Sequence, residues 1–281
     1  MNSGTLYRRS AFTDNPKGGN PAGVWVGEIL PPEKIMQQIA AEIGYSETAF
    51  VAPTSGRTRM IRYYSPEVEV PFCGHATIAT GVVLGETEGD GTYRLSTTVG
   101  EISVSVVSKD GVREASLTSV EPMFTDFPNN LVNEAISALG WDSSDLDNSI
   151  PPVKAYAGAW HLVLAVNSPN RLAALNYNFE NLKALMYREG LTTLQLIWRE
   201  NTNLFHSRNP FPVGGIVEDP ATGAAAAALG GYLREAKLIV PPATIFIHQG
   251  EAMGRPSKLT VEIPCTGGIV VRGTAVPIET V

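Results

Sequence analysis

Little in this sequence ties it to membranes, nucleic acids or disulfide chemistry. Among 281 residues there are two cysteines, Cys73 and Cys265, too few for a disulfide framework. No apolar run approaches the roughly 18 residues that cross a bilayer. Met1 to Ser10 is polar and mixed, unlike a secretory leader. Basic residues are outnumbered, 21 Lys+Arg against 28 Asp+Glu for a net charge of −7, which argues against general binding to nucleic acid or acidic membranes. The expected location is the cytoplasm. The four histidines, His75, His161, His206 and His248, include no two within one helical turn, and there is no Cys-x-x-Cys pair, so no metal site is expected. A G-x-G-x-x-G turn opening a helix, a Walker loop and a G-x-S-x-G elbow are also missing, which removes the common nucleotide and serine-hydrolase readings.

What is present is an ordinary globular balance, 43% hydrophobic and 17% charged, in a chain long enough for one large domain or two of ordinary size. Short runs rich in β-branched and aromatic residues and bounded by Gly, Pro or Asp predict strands: TLYRRSAF, AGVWVG, ETAFVA, TRMIRYY, TYRLSTT, EISVSVVS and REASLT in the first half, then WHLVLAV, LTTLQLIW, ATIFIHQ, SKLTVEIP and GIVVRGTAV. PPEKIMQQIAAEIG repeats Ile35, Ile39 and Ile43 at helical spacing, so it predicts an amphipathic helix. NNLVNEAISALG and NRLAALN predict further helical pieces.

Two segments differ from these. HATIATGVVLG and TGAAAAALGGYLREA are apolar or small on every side, and a helix of that kind belongs in an interior. Shifting the first by 149 positions sets Gly74 on Gly223, Ala76 on Ala225, Ala79 on Ala228, Gly81 on Gly230 and Leu84 on Leu233. Each helix sits in a comparable series of strands, which predicts an α+β fold of two similar halves, each a curved sheet wrapped round one small-residue helix. Larger side chains would overpack such a helix. The halves are expected at 1–117, completed by the C-terminal strand at 268–281, and at 118–267. If the two helix starts open into one cleft, their unpaired amides and dipoles would cradle a carboxylate, and Gly74 and Gly223 would let a ligand approach the backbone. The competing reading is local: Asp219 caps the second helix and Pro220 fills its first turn.

The blocks AFTDNPKGGNPAGVWV, ETAFV, YYSPEVEVPFCGHATIATGVVLG, SRNPFPVGGIVEDPATGAAAAAL and QGEAMGRPSKLTVEI resemble, in order, the signature blocks of the phenazine-biosynthesis PhzF-like family, which shares the diaminopimelate epimerase fold. The resemblance spans nearly the whole chain. It implies a cofactor-independent isomerase, usually a homodimer, with two pseudo-symmetric barrel-like halves and the active site between them. It places the acid/base glutamate at Glu47, the substrate-orienting histidine at His75, the aspartate at Asp219 and the glycine-loop amides at Gly74 and Gly223. Two departures stand out. Family members often carry Ser after Ala-Thr-Gly, where this chain has Ala224. The sequence Cys73-Gly-His-Ala-Thr resembles the broader branch of the family rather than the phenazine enzyme itself.

Read for chemistry, Glu47 has the apolar neighbours Ala49 and Val51, a setting that suits a carboxyl which takes and returns a proton. His75 can donate to a substrate carboxylate or a developing negative charge. Asp219 can accept from a substrate amine or hydroxyl, or position His75. Asn20 is expected to shape a turn near the site, and Cys73 and Ala224 to line it. Arg208 and Arg255 suit either carboxylate binding or structural ion pairing. Three functions follow: an isomerase moving a proton within a small carboxylate-bearing metabolite, an amino-acid epimerase or racemase using Cys73, and a catalytically silent metabolite-binding protein.

Overall fold

The computed structural model describes residues 4–279. These divide into two compact units, one running to Thr118 and completed from Arg272 onward, the other Ser119–Val271.

In the first unit β1 (Gly4–Ala11) runs antiparallel to β2 (Asn20–Gly27). The amphipathic α1 (Glu33–Ile43), closed by Gly44 in the left-handed conformation, crosses to β3 (Glu47–Ser55), parallel to β2. Next come β4 (Thr58–Tyr64), antiparallel to β3, and the two-residue β5 (Glu69–Val70). The small-residue helix α2 (Gly74–Glu88) then crosses to β6 (Gly91–Thr97), parallel to β4. An antiparallel meander of β6, β7 (Gly100–Lys109) and β8 (Val112–Thr118) follows. The C-terminal strand Val270–Pro277 pairs with both β8 and β1. Eight strands thereby close on themselves in the order β1, β2, β3, β4, β6, β7, β8, C-terminal strand. A closed ring leaves no unpaired strand edge.

Every residue of α2 from His75 to Gly85 is buried. A Cβ added at Gly81 would lie 2.7 Å from Val104 Cγ2 and 2.9 Å from the Ala115 Cβ, so the sheet closes onto the helix where there is no side chain to hold it off.

The second unit has β9 (Met123–Asp126), α3 (Asn129–Ala138), β10 (Val153–Tyr156) and β11 (Trp160–Val166). Helices α4 (Pro169–Ala173) and α5 (Phe179–Glu189) cross to β12 (Thr193–Arg199), parallel to β11. Then follow β13 (Leu204–Pro210), the two-residue β14 (Glu218–Asp219), α6 (Gly223–Glu235), β15 (Ala243–Gln249) and β16 (Ser257–Ile263). The pairing order repeats the first unit step by step. β10 and β11 are antiparallel, β11 and β12 parallel, β12 and β13 antiparallel, β13 and β15 parallel across α6, and β15 and β16 antiparallel. The internal repeat of the sequence is thus a repeat of topology.

Helix α6 is buried from Ala225 to Arg234. A Cβ at Gly231 would stand 2.3 Å from the Pro122 Cβ. Arg234, buried at the last turn, donates to the Pro264 and Gly267 carbonyls and pairs with Glu121 and Glu235, so its charge is spent on structure. A separate apolar cluster lies where α3 and α5 cover β11 and β12, with Leu139, Leu164, Leu182, Leu185 and Met186 at its centre.

The structure adds elements beyond the sequence expectations. α5 has the usual end signals, an Asn178 side chain accepting from Asn181 N–H and Gly190 in the left-handed conformation. Strands β9, β10 and β13 are short or polar, and partners distant in sequence define them. Among the described residues, no helix is long and apolar enough to cross a membrane.

Candidate active site

In the first unit the start of α2, the start of β2 and the start of β3 converge. β2 and β3 are in parallel register with Ala22 opposite Glu47, which brings Asn20 and Glu47 to one end of the sheet. α2 begins there with Cys73 as its extended N-cap residue, whose side chain makes no capping hydrogen bond.

His75, 6% exposed, is the hub. The Asn20 amide nitrogen lies 3.2 Å from His75 Nδ1. An amide nitrogen can only donate, so Nδ1 is the acceptor and the neutral ring carries its proton on Nε2. That Nε2 faces Glu47 Oε2 at 3.4 Å and Ser46 Oγ at 3.4 Å. Cys73 Sγ lies 3.3 Å from Nδ1. The Glu47 side chain retains 19% of its accessibility, enough to meet a ligand and too little for full hydration. Behind the helix, Tyr63 Oη and Thr77 Oγ1 share a 2.6 Å hydrogen bond, and Thr77 Oγ1 also donates to the Cys73 carbonyl. This bond anchors the turn that carries Cys73 and His75. Burial drives the Tyr63 phenol far above its ordinary range, so it stays a neutral prop. Gly74 has open space where a Cβ would stand.

In the second unit the corresponding turn leads into α6. Asp219, 8% exposed, does not cap that helix. Thr222 is the N-cap residue, and its hydroxyl donates to Asp219 Oδ2 at 2.5 Å. Gln249 braces both: its Nε2 donates to the Asp219 carbonyl and to Thr222 Oγ1, and its Oε1 accepts from the Thr222 N–H. The local capping reading of Asp219 and Pro220 is therefore corrected, because the helix starts at Gly223, beyond both residues. Gly223 and Ala224 are half-buried in its first turn. Arg208 grips buried Glu218 through Nε and Nη2 at 3.0 and 2.6 Å, a structural pair.

Set in equivalent registers, the two units are chemically unequal. Glu47 and Thr193 each open the strand after the first crossover, opposite Ala22 and His161 respectively. Asp219 and Val70 each end the two-residue strand before the small-residue helix. The repeat thus keeps a carboxyl at the strand position in the first unit alone and at the pre-helix position in the second alone. Ser46, Thr222 and Gln249 are site residues that the sequence reading did not single out. Ser46 precedes Glu47 directly in the sequence, whereas Gln249 lies 30 residues from Asp219 and reaches it only in the folded chain.

Among the described residues, two groups could hold a metal by donor type, Glu47 with Cys73 and His75, and His206 with His248 and Glu251. In the first, the contacts among its members and Asn20 already orient the histidine.

Two topologically repeated units, each with a buried small-residue helix, define the fold class, the diaminopimelate epimerase-like α+β fold, and one helix start carries a Glu–His–Asn chain. Residues 9–280 match the family model described as phenazine biosynthesis-like protein, and the chain belongs to that family. An uncharacterized isomerase of Bacillus subtilis is 30% identical over 290 residues, covering 100% of this chain and 98% of the relative. The crystal structure of a phenazine biosynthesis protein of the PhzF family from Bacillus anthracis superposes with a TM-score of 0.85 at 25% identity, covering 98% and 96% of the two chains. That of a predicted epimerase from Pseudomonas aeruginosa superposes with a TM-score of 0.86 at 24% identity, covering 99% and 98%, a likeness of fold.

Proposed function

We propose that this isomerase works without a cofactor, moving a proton between two carbons of a small carboxylate-bearing metabolite, with Glu47 as the acid/base. The observation that carries this reading is the half-buried Glu47 carboxyl facing the Nε2 of a histidine whose Nδ1 is held by Asn20. In the first step a Glu47 oxygen takes the proton of an activated C–H bond, and the electron pair left behind moves into the conjugated substrate. In the second step the same carboxyl returns that proton to another carbon, so nothing is oxidised or reduced. The His75 Nε2–H supports the carboxylate or the negative charge that develops on the substrate. Asp219, held by Thr222 and Gln249, is assigned a substrate amine or hydroxyl on the family resemblance. The family resemblance also assigns Gly74, Gly223, Ala224 and Cys73 to substrate contacts. The reading includes a cytoplasmic homodimer, again by analogy with the family.

A second reading keeps Cys73 as a base for epimerisation of an amino acid, favoured by the 3.3 Å approach of its sulfur to His75 Nδ1. Incubation of candidate acids in deuterated water, read by NMR, separates the readings. Rearranged, labelled product supports the proton shift. Label at an unrearranged stereocentre supports epimerisation, and binding without exchange indicates a silent binder. Glu47→Gln is expected to lower turnover by about 10²–10⁴-fold with thermal unfolding nearly unchanged, and full activity there would remove Glu47 from its role. Cys73→Ala is expected to keep most activity; its complete loss would restore the thiol mechanism.

A further inference from the structure

Away from His75, the second unit assembles a cluster of a different kind. β13 and β15 are parallel neighbours, and their register sets His206 opposite His248. The two rings meet edge to face with centroids 5.3 Å apart and planes at 84°. The chain leaves β15 and turns back at once, bringing Glu251 beside both rings. His206 Nδ1 lies 3.4 Å from Glu251 Oε2, and His248 Nδ1 lies 3.9 Å from Glu251 Oε1. The remaining nitrogen of His206, Nε2, faces Glu200 Oε2 at 2.7 Å. Trp198 packs on the His206 ring at 5.2 Å between centroids. The group opens on a cavity of about 430 Å³, lined also by Leu172, Ala173 and Arg208.

We propose that His206 Nδ1, His248 Nδ1 and the Glu251 carboxylate bind a divalent transition metal ion of the zinc type, with Glu200 orienting His206 from behind. Three observations carry this. First, ligand atoms about 2.0–2.2 Å from one ion in a tetrahedral set lie roughly 3.4 Å apart. The nitrogen–oxygen separations are 3.4 and 3.9 Å, to the two oxygens of one carboxylate, and all three ligand atoms lie within 4.8 Å of one another, so side-chain rotations would have to close the site. Second, a ligating imidazole usually gives its other N–H to a carboxylate, which fixes the tautomer. Glu200 stands where that bond requires it, leaving Nδ1 free to ligate. Third, two histidines and one carboxylate on an open cavity leave the fourth position for water or a small ligand. This is the arrangement of exchangeable rather than closed structural sites. Hard cations such as magnesium prefer oxygen sets and gain less here. Lys258, opposite His248 in the β15–β16 register, and Arg208, which lines the cavity, are nearby positive charges that such an ion must tolerate.

The test is calorimetric titration of chelator-stripped protein with zinc chloride, with magnesium chloride as control. One zinc per chain is expected at this cluster. His206→Ala and His248→Ala should each weaken it at least about 100-fold, and Glu200→Gln about 10–100-fold. Cys73→Ser should leave the event untouched, separating it from zinc taken by Glu47, Cys73 and His75. Cobalt bound here should give visible absorption without a thiolate charge-transfer band. Should an alanine variant fail to fold, His206→Gln and His248→Gln serve in its place, with the rise in melting temperature on adding zinc as readout. Zinc binding no stronger than magnesium binding would overturn the proposal. So would an event that survives loss of both histidines, or one that disappears with Cys73.

Discussion

His161 is enclosed at the start of β11, with its Nδ1 2.8 Å from Thr193 Oγ1. Burial pushes its imidazole down to about 3, and the hydrogen bond at Thr193 opposes that only in part. The folded ring is therefore neutral, whereas an unfolded histidine titrates near 6.5. Below that value the unfolded chain binds a proton that the folded chain refuses. The stabilisation is complete above about pH 6.5 and is lost as pH falls toward 3. Between pH 7 and pH 5 this one group should cost about 2 kcal/mol. Denaturant unfolding of the wild type and of His161→Gln at the two pH values checks this. The drop from pH 7 to pH 5 should be smaller in the variant by about that amount, and equal drops would show that His161 accepts a proton in the fold. Glu47 shows another side of the residue scale. Its block marked it in the sequence by resemblance, yet that the ring nitrogen facing it carries the proton followed only from Asn20, which is 55 residues from His75 along the chain.

At the scale of elements, the small-residue helices work by what they lack. Gly231 is in α6 because the Pro122 side chain occupies the space a Cβ would need. Alanine ordinarily favours a helix over glycine by about 1 kcal/mol. Here overpacking should outweigh that preference, and Gly231→Ala is expected to destabilise by about 1–3 kcal/mol, read as a lower denaturation midpoint with the slope unchanged. A gain in stability would mean that Pro122 moves aside freely. These helices were legible in the sequence because a buried helix is apolar all round, and so were the strands with strong β-branched runs. β13 was not legible. Leu-Phe-His-Ser-Arg-Asn-Pro carries polar side chains with tertiary partners, His206 with Glu200, Arg208 with Glu218 and Asn209 with Gln195, and local pattern does not register such partners.

For the molecule as a whole, closure matters most. The C-terminal strand joins β8 to β1 and completes the ring of the first unit. A chain ending before Val270 would expose two long strand edges at once, and such edges pair with other chains. It is expected to form aggregates, seen as loss of the soluble monodisperse species in size-exclusion chromatography. A soluble truncated chain with a normal melting transition would show that the ring is dispensable.

The sequence by itself determined the α+β class, the internal repeat and the two buried helices, because these rest on composition and period, which neighbouring residues carry, while the signature blocks carried the resemblance to the family. Tertiary structure decided the partnerships. It set Asn20, Ser46 and Cys73 around His75, gave Asp219 to Thr222 and Gln249 rather than to a cap, and brought His206 beside His248 across two parallel strands. Strand register links residues dozens of positions apart, and no local pattern encodes which pairs it will join.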